Sequence, residues 1–207
     1  MDLIVTDFKL VSFFISCIAL AFSPGPDNLF LFSLSLNEKK KHCFLFLFGL
    51  ISGCLVHTFA LIIGLNLIID KVPLVLDFIK IIGFVYLIFL SIKLLFKNID
   101  NKEGLKKNQK INFYKTGFLM NVLNPKVFLF FSIFFPNFIF SNEISFNLQI
   151  LILGLIFIIS TFVVFSIIIF ISKYISMYLE SNYLFTSIKS YLSPVILFLI
   201  ALLILFV

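Results

Sequence analysis

Long apolar stretches separated by short polar connectors are the dominant pattern along this chain. A helix needs about 20 apolar residues to cross roughly 30 Å of hydrocarbon, and six stretches reach that length. They cover residues 8–36, 43–66, 74–96, 113–138, 147–172 and 186–207. The pattern predicts an all-α polytopic membrane protein with six transmembrane helices, and we expect residues 1–207 to form one transmembrane domain.

The composition supports membrane insertion and excludes an ordinary soluble domain. Hydrophobic residues make up 61% of the chain and charged residues only 13%, which is far from soluble proportions. The net charge of +6 could suggest nucleic acid, but the lysines lie between the apolar stretches and not on one face among stacking aromatic residues. We therefore expect a lipid bilayer around the protein and no nucleic acid as a partner.

The positions of the lysines predict the orientation of the helices. Cytoplasmic loops carry an excess of basic residues, and in a six-helix arrangement Lys9, Lys71 and Lys80 fall on one side. Twelve lysines fall on the other side, which we expect to be cytoplasmic: Lys39, Lys40, Lys41, Lys93, Lys97, Lys102, Lys106, Lys107, Lys110, Lys115, Lys173 and Lys189. Six helices bring both termini to the same side, so both termini are predicted to be extracytoplasmic.

Two proline-centred breaks interrupt the first and the fourth apolar stretches. They are Ser23-Pro24-Gly25-Pro26-Asp27-Asn28 and Asn121-Val122-Leu123-Asn124-Pro125-Lys126. Proline removes a backbone donor and clashes with the preceding turn, and in a bilayer the freed groups are tolerated where protein or a water-filled cavity satisfies them. A matched pair of broken helices in the two halves of a chain is typical of the binding site of a transporter. The simpler interpretation is that the prolines only kink packed helices.

The two breaks divide the chain into halves of three helices each. An odd number of helices per half requires that structural repeats be inserted with opposite orientation. The predicted repeats are residues 1–97 and 113–207, joined by a cytoplasmic loop at 97–112. Residues 27–36 and 113–123 would each cover about half of the hydrocarbon at a rise of about 1.5 Å per residue. Both breaks are therefore predicted near the middle of the membrane.

Asp27 and Lys126 are the residues that the sequence most strongly marks as functional, because ionisable groups deep in a membrane are costly and usually functional. Asp27 could hold a substrate ammonium or exchange a proton. Lys126 could hold a carboxylate or neutralise Asp27. The alternative is a permanent ion pair that only locks the two halves together.

The helix ends at the two breaks form the second part of the predicted site. Ser23 is expected to cap a half-helix that begins at Pro24, and Asn124 to cap one that begins at Pro125. Free N–H groups and the positive end of the helix dipole make such ends suitable for a carboxylate. Three amide side chains are expected to bond the backbone groups that proline frees: Asn28, Asn121 and Asn124.

Gly49, Gly53 and His57 recur every four residues in the second apolar stretch, which places them on one helix face. Small residues at this spacing let helices approach closely, so packing is the first interpretation. Histidine changes charge near physiological pH. His57 is therefore also a candidate for proton transfer.

Enzymatic chemistry finds no support in the sequence. A membrane-embedded enzyme would need a nucleophile with a base, or a metal cluster, and no second intramembrane histidine accompanies His57. Cys17, Cys43 and Cys54 have neither the spacing of a metal site nor that of a disulfide framework. We predict that the protein is not an enzyme and that it has no metal site and no cofactor.

These motifs resemble those of the LysE/RhtB family of amino-acid exporters over most of the chain. The matching pieces are Ser-Pro-Gly-Pro-Asp-Asn at 23–28, Gly49-Leu50-Ile51-Ser52-Gly53 with His57, Gly83-Phe84-Val85-Tyr86-Leu87, Asn121 with Asn124-Pro125-Lys126, and Phe134-Phe135-Pro136-Asn137-Phe138. The last apolar stretch departs from the family pattern, because residues 191–207 lack the glycine expected there.

The resemblance implies a secondary-active exporter in the bacterial inner membrane that moves amino acids or close derivatives out of the cytoplasm by proton exchange, with the proton gradient as its energy source. Export of a metal cation or another small solute, and a non-transporting membrane assembly protein, are the alternatives. The sequence leaves open whether the chain forms a homo-oligomer. The residues predicted to bind substrate or couple it to protons are Pro24, Gly25, Pro26, Asp27, Asn28, His57, Asn121, Asn124, Pro125 and Lys126.

Overall fold

The computed structural model is helical throughout the residues that it describes, which are 2–64, 72–102, 111–179 and 181–206. Eight α-helices follow one another in these ranges, without a strand between them. They are α1 (Asp2–Phe22), α2 (Pro26–Asn37), α3 (Lys40–Ile63), α4 (Val72–Lys102), α5 (Phe113–Val122), α6 (Pro125–Leu129), α7 (Phe146–Leu179) and α8 (Tyr183–Phe206). The predicted all-α class is confirmed.

The first and the fourth apolar stretches are bent at their prolines, as predicted. The axes of α1 and α2 differ by 55°, and the axis of α5 differs by 47° from that of the helical segment Pro125–Phe138. Each break is short, since residues 23–25 separate α1 from α2 and residues 123–124 separate α5 from α6. Each bent pair can therefore be counted as one broken span.

The number of membrane-spanning helices lies between three and five among the described residues. Lys40–Ile63, Leu74–Phe96 and Phe146–Leu179 are each long and apolar enough to cross a membrane, and the two bent pairs raise the number to five. Helix α8 contributes a shorter apolar segment, Tyr191–Ile204. Six as the exact number stays a prediction. The predicted loop at 97–112 begins later than expected, because α4 continues to Lys102. Residues 103–110 of that loop lie outside the described residues, as do four of the lysines used to predict orientation: Lys71, Lys106, Lys107 and Lys110.

Helix α3 packs so closely against α5 that only glycine fits at the crossing. A Cβ on Gly49 would overlap the carbonyl oxygen of Tyr114, and a Cβ on Gly117 would overlap that of Phe46. A Cβ on Gly53 would lie 2.6 Å from the Oδ1 of Asn121. The predicted packing role of Gly49 and Gly53 is confirmed, because small residues let the two backbones meet.

The buried apolar side chains form two clusters on opposite sides of the proline breaks. The leucine-rich cluster contains residues that follow the first break or precede the second, and its members include Phe30, Leu34, Phe46, Leu50, Leu90 and Met120. The phenylalanine cluster combines Cys54 and Leu61 of α3 with residues that precede the first break or follow the second. Its members include Phe13, Phe130, Phe131, Phe135, Ile150 and Phe157. The breaks thus lie in a layer between the two apolar clusters.

The fourth span loses its α-helical geometry after the second break. Phe130–Phe134 is π-helical and Phe135–Phe138 is a 3-10 helix, a change that the sequence analysis did not predict. Short π-helical turns are rare and often occur at functional sites. The rings in this segment pack tightly, with 4.9 Å between the centroids of Phe131 and Phe135 and 5.1 Å between those of Phe13 and Phe135.

The chain after the 3-10 helix is held by two side chains from neighbouring helices. The buried Gln149 of α7 accepts hydrogen bonds from the backbone N–H groups of Phe140 and Ser141 and donates to the carbonyls of Ser141 and Ile144. Lys9 of α1 donates to the carbonyl of Ile139 over 2.6 Å. The end of the fourth span is therefore fixed to both α1 and α7.

Candidate functional site

The first break is organised by the amide of Asn28. Its Oδ1 accepts a hydrogen bond from the backbone N–H of Gly25 at 2.9 Å, and its Nδ2 donates to the carbonyls of Ala21 at 3.1 Å and Ser23 at 2.6 Å. These are backbone groups at the end of α1 and the start of α2, which the prolines leave without helical partners. Asn28 therefore satisfies the freed groups, as predicted.

The predicted cap at Ser23 is wrong. Helix α2 begins at Pro26, and its N-cap is Gly25 in extended backbone geometry. The reason is the second proline of the motif, since the residue before a proline is driven out of the helical region and proline itself favours the first helical position. The carbonyl of Ser23 instead accepts hydrogen bonds from the Asn28 amide and from Lys126.

The second break is capped as predicted. Asn124 is the N-cap of α6, and its Oδ1 accepts a hydrogen bond from the backbone N–H of Lys126 at 3.0 Å. Pro125 occupies the first helical position, where its missing N–H costs nothing. Asn121, in the last turn of α5, differs from the prediction. Its Nδ2 bonds the Sγ of Cys54 at 3.5 Å, and its side chain bonds no backbone group among the described residues.

Two polar atoms near this second break are buried without a partner. The Oδ1 of Asn121 and the Nδ2 of Asn124 have no hydrogen-bond partner in the part of the chain that the structure describes, and both residues are buried. Buried polar groups in native proteins are nearly always bonded, so an exception calls for an explanation such as a ligand. The second break therefore has spare hydrogen-bonding capacity.

Asp27 and Lys126 meet across the two breaks. The Nζ of Lys126 lies 3.4 Å from the Oδ1 of Asp27, which is only 4% exposed. The same ammonium donates to the carbonyl of Ser23 at 2.9 Å and to that of Leu20 at 3.2 Å. The three acceptors match the three donors of an ammonium group. The two charges that the sequence marked thus face one another in the interior.

Gly25 lies directly beneath this pair of charges. A Cβ at this position would lie 2.8 Å from the Nζ of Lys126 and 2.9 Å from the Oδ1 of Asp27. Both distances are shorter than ordinary contacts between such atoms. Glycine is therefore required here because the backbone approaches the charged groups so closely.

His57 contacts the site through the second break and not through the charged pair. Its Nε2 lies 3.3 Å from the carbonyl oxygen of Asn121, and its ring stacks on Phe131 with 5.3 Å between centroids. The carbonyl of Asn121 lies at the C-terminal end of α5, where helical partners run out. The imidazole therefore bonds a backbone group at the break, as a packed intramembrane histidine often does.

A small cavity of about 10 Å³ lies between the two breaks, close to the space that one water molecule needs. Asp27, Asn121 and Lys126 are among the residues that line it. Apolar side chains of α1, α6 and α7 line it as well. The contribution of α7 was missed by the sequence interpretation, because its lining residues lie in a continuous apolar run without a charge or a proline.

The ten predicted site residues therefore take three different positions. Asp27, Asn121 and Lys126 line the cavity, while His57 reaches it only through Asn121. The other six shape the two breaks around it: Pro24, Gly25, Pro26, Asn28, Asn124 and Pro125.

Comparison with known proteins identifies a family and several relatives. A family model described as LysE type translocator matches residues 18–206. An uncharacterized membrane protein, YrhP of Bacillus subtilis (strain 168), is 29% identical over 170 residues, which are 77% of this chain and 80% of that protein. The leucine efflux proteins of Salmonella typhimurium (strain LT2) and Salmonella typhi are each 25% identical over 131 residues.

The match to the two leucine efflux proteins covers 62% of this chain and 62% of the length of each relative. No solved structure matches the chain. The family model covers both proline breaks, the charged pair and the cavity between them. The chain therefore belongs to the LysE type translocator family and is a multi-pass membrane protein.

Proposed function

We propose that this protein is a secondary-active exporter that moves amino acids or close derivatives out of the cytoplasm in exchange for protons. The observation that carries the proposal is the buried pair of Asp27 and Lys126, 3.4 Å apart at two matched helix breaks. An amino acid carries one carboxylate and one ammonium group. The site offers one charge of the opposite sign to each.

Binding of a zwitterion would replace the ion pair partner by partner. The carboxylate of the cargo would meet Lys126 and its ammonium would meet Asp27, so that neither buried charge loses a counter-charge. The helix ends contribute less than the sequence suggested. The N–H of Asn28 already bonds the carboxylate of Asp27, and the N–H of Lys126 already bonds Asn124.

The two apolar clusters support alternating access to this site. The phenylalanine cluster packs on one side of the breaks and the leucine-rich cluster on the other, and the cavity between them is too small for an amino acid. Export requires each cluster to open in turn, so that the site faces first one side of the membrane and then the other. Two closed clusters fit an occluded state of such a carrier.

The helix contacts support two inverted repeats, residues 1–97 and 113–207. Helix α3 of the first half packs on α5 of the second, and in the equivalent relation α7 packs on α1. Helices α4 and α8, which end the two halves, pack on each other. This exchange of partners is what a two-fold relation between the halves requires, and rocking of one repeat against the other would open the site to each side.

Proton exchange is assigned to Asp27, with His57 as a second candidate. Asp27 can take a proton when the cargo leaves on the outer side and release it on the cytoplasmic side, where the ion pair with Lys126 forms again before the next cargo binds.

The excess of lysines on one side supports the orientation proposed here, a bacterial inner-membrane protein with both termini extracytoplasmic. Tags at the two termini that react only from the cytoplasmic side would reverse this orientation.

Counterflow in proteoliposomes under an imposed pH gradient tests the proposal. Asp27→Asn removes the charge and keeps the shape of the side chain, so we expect loss of amino-acid exchange with insertion intact. Asp77→Asn on α4 is the matched control, because Asp77 is exposed and its loss should leave exchange unchanged. Wild-type exchange by Asp27→Asn would remove Asp27 from the mechanism.

A fixed ion pair in a non-transporting assembly protein is the second candidate, because all three donors of Lys126 already have acceptors. The substitution Lys126→Arg distinguishes an exporter from an assembly protein with a fixed ion pair. A structural lock only needs a cation that stays bound to Asp27. A transport site must release that cation from Asp27 to the cargo, and a planar guanidinium holds a carboxylate in a fixed bidentate geometry. Loss of exchange at unchanged thermal stability supports export. An intact fold with no exchange even in the wild-type protein supports the lock.

Export of a metal cation is disfavoured by the position of Lys126. A hard cation would need the oxygen atoms of Asp27 and of the carbonyls at the break. The ammonium of Lys126 already binds the Oδ1 of Asp27 and the carbonyls of Ser23 and Leu20. Uptake of a divalent cation that competes with amino acids in the same vesicles would restore this alternative.

A further inference from the structure

The lining of the cavity between the breaks combines polar and apolar residues. Asp27, Asn121 and Lys126 are the strongly polar ones, and Thr161 of α7 supplies a hydroxyl-bearing side chain. The apolar lining comes from α1, α6 and α7, and its residues are all buried or half-buried: Leu20, Ala21, Val127, Phe157 and Phe165.

The charged residues that line the cavity can pair with the α-ammonium and the α-carboxylate of an amino acid, which we call its head group, and with no further charged group. Asp27 and Lys126 are the charged residues of the lining, and an α-ammonium and an α-carboxylate use both. The Oδ1 of Asn121, buried and unpartnered in the described part of the chain, offers the ammonium a further acceptor. A third charge on the cargo would lie against the apolar lining without a counter-charge. Burial of an unpaired charge is strongly unfavourable.

We infer that the cargo is a neutral amino acid with an apolar side chain, and that Val127, Phe157 and Phe165 form the subsite that receives it. This inference rests on the proposed export function. Val127 immediately follows Lys126, so the subsite begins next to the head group. Phe157 and Phe165 lie about two helical turns apart on α7, and both line the cavity.

Phe157 sets the size of this subsite. Its ring lies 4.9 Å from that of Phe131 and 5.4 Å from that of Phe130, measured between centroids. The same side chain is thus a wall of the cavity and a member of the phenylalanine cluster. Movement of Phe157 away from the cavity enlarges the site and disrupts the packing of the phenylalanine cluster. The size of the cargo is thereby linked to opening of the site on that side.

Competition in counterflow tests the substrate class directly. Vesicles containing the purified protein exchange labelled leucine, and unlabelled leucine, phenylalanine, threonine, lysine and glutamate are added outside. We expect the apolar amino acids to compete at concentrations at least tenfold below threonine and a hundredfold below lysine or glutamate. Equal competition by lysine or glutamate would overturn the inference while leaving amino-acid export intact. Absence of exchange with every amino acid would overturn export and, with it, the inference.

Phe157→Ala tests the assignment of the subsite, with Phe170→Ala as the matched control. Phe170 is on the same helix and is 52% exposed, so its loss removes an equal volume outside the cavity. We expect Phe157→Ala to shift the preference from leucine towards phenylalanine by about tenfold or more, the scale at which pockets discriminate by size. Phe170→Ala should not change this ratio. An unchanged ratio in a folded Phe157→Ala protein would contradict the subsite.

Two further measurements keep the assignment testable if Phe157→Ala does not fold. Phe165→Leu is a smaller change and should shift the same ratio in the same direction. Ligand-dependent thermal stabilisation of the wild-type protein in detergent needs no transport. Leucine should raise the melting temperature and lysine should not; stabilisation by lysine alone would overturn the inference.

Thr161→Val tests the alternative that the cargo carries a hydroxyl group. The substitution replaces the hydroxyl of the lining by a methyl group of similar size. If the cargo is apolar, leucine exchange stays within about twofold of wild type. A loss of tenfold or more, together with loss of threonine competition, would instead assign the site to a hydroxyl-bearing cargo.

Discussion

The two proline breaks look alike in the sequence, yet one is saturated with hydrogen bonds and the other is not. At the first break, Asn28 alone makes three bonds to the backbone, and α2 continues as a regular helix of 12 residues. At the second break, two buried polar atoms have no partner among the described residues, and the chain soon becomes π-helical. The first break is built as a scaffold, and the second retains the capacity to bind and to rearrange.

The difference assigns separate roles to the two halves of the site. The scaffold holds Asp27 and the carbonyl of Ser23 in place. The second break carries Lys126, whose side chain is 19% exposed and reaches across to the first. We expect the ammonium of Lys126 to move more than the carboxylate of Asp27 when cargo binds.

The largest effect on stability is expected from Asn28→Ala. The substitution leaves the N–H of Gly25 and the carbonyl of Ala21 without this partner and removes one of the two donors to the carbonyl of Ser23. An unsatisfied buried group costs about 1–3 kcal/mol. Thermal unfolding in detergent should show a strongly lowered midpoint and, at growth temperature, poor accumulation in the membrane. A wild-type midpoint would contradict the view of the first break as a scaffold.

A smaller effect is expected from Asn124→Ala, the equivalent change at the second break. Loss of one N-cap bond costs about 0.5–2 kcal/mol, and the Nδ2 of Asn124 has no partner among the described residues to lose. The midpoint should fall less than in Asn28→Ala under the same conditions. Equal destabilisation by the two substitutions would remove the contrast between the breaks.

The pattern of prolines and charges was sufficient to locate both breaks. A proline or a charge inside an apolar stretch is costly wherever the chain folds, so Pro24, Pro26 and Pro125, with Asp27 and Lys126, stand out without any knowledge of tertiary contacts. The cap at Asn124 followed from the same local chemistry. The cap at Ser23 did not, because two prolines compete for the start of α2 and the second one prevails.

Two other features were beyond the reach of the sequence for a different reason. Helix α7 carries apolar residues on every face, so Phe157 beside the cavity and Ile159 towards the outside carry the same local signal. Membrane helices lack the polar face that reveals the orientation of a surface helix. The π-helical turn at Phe130–Phe134 likewise has no local cue, since phenylalanine is common throughout the chain.

A change at Gly25 should affect function more than stability. A Cβ in Gly25→Ala would lie 2.8 Å from the Nζ of Lys126, and the end of a flexible lysine can shift where a backbone cannot. We expect the ammonium to move away from Asp27, with at least a tenfold loss of exchange and a fall in the unfolding midpoint smaller than that of Asn28→Ala. Wild-type exchange would show that the close contact of the two charges is not needed.

The smallest effect on stability is expected from Asn121→Ala. Its Oδ1 has no partner to lose among the described residues, and its Nδ2 makes one long contact with sulfur. We expect a change in stability of about 1 kcal/mol or less, since a typical net hydrogen bond is worth no more, and a clear rise in the cargo concentration that half-saturates exchange. An unchanged half-saturating concentration would exclude Asn121 from the binding site.

The central claim is that a zwitterion takes the place of the ion pair between Asp27 and Lys126. The most direct measurement is competition by two analogues of the amino acid that exchanges fastest, one without its carboxylate and one without its ammonium. Each analogue leaves one buried charge unpaired, at a cost of about 3–5 kcal/mol, so both should compete more than about a hundredfold less well. Competition by either analogue at the concentration of the amino acid itself would contradict the claim.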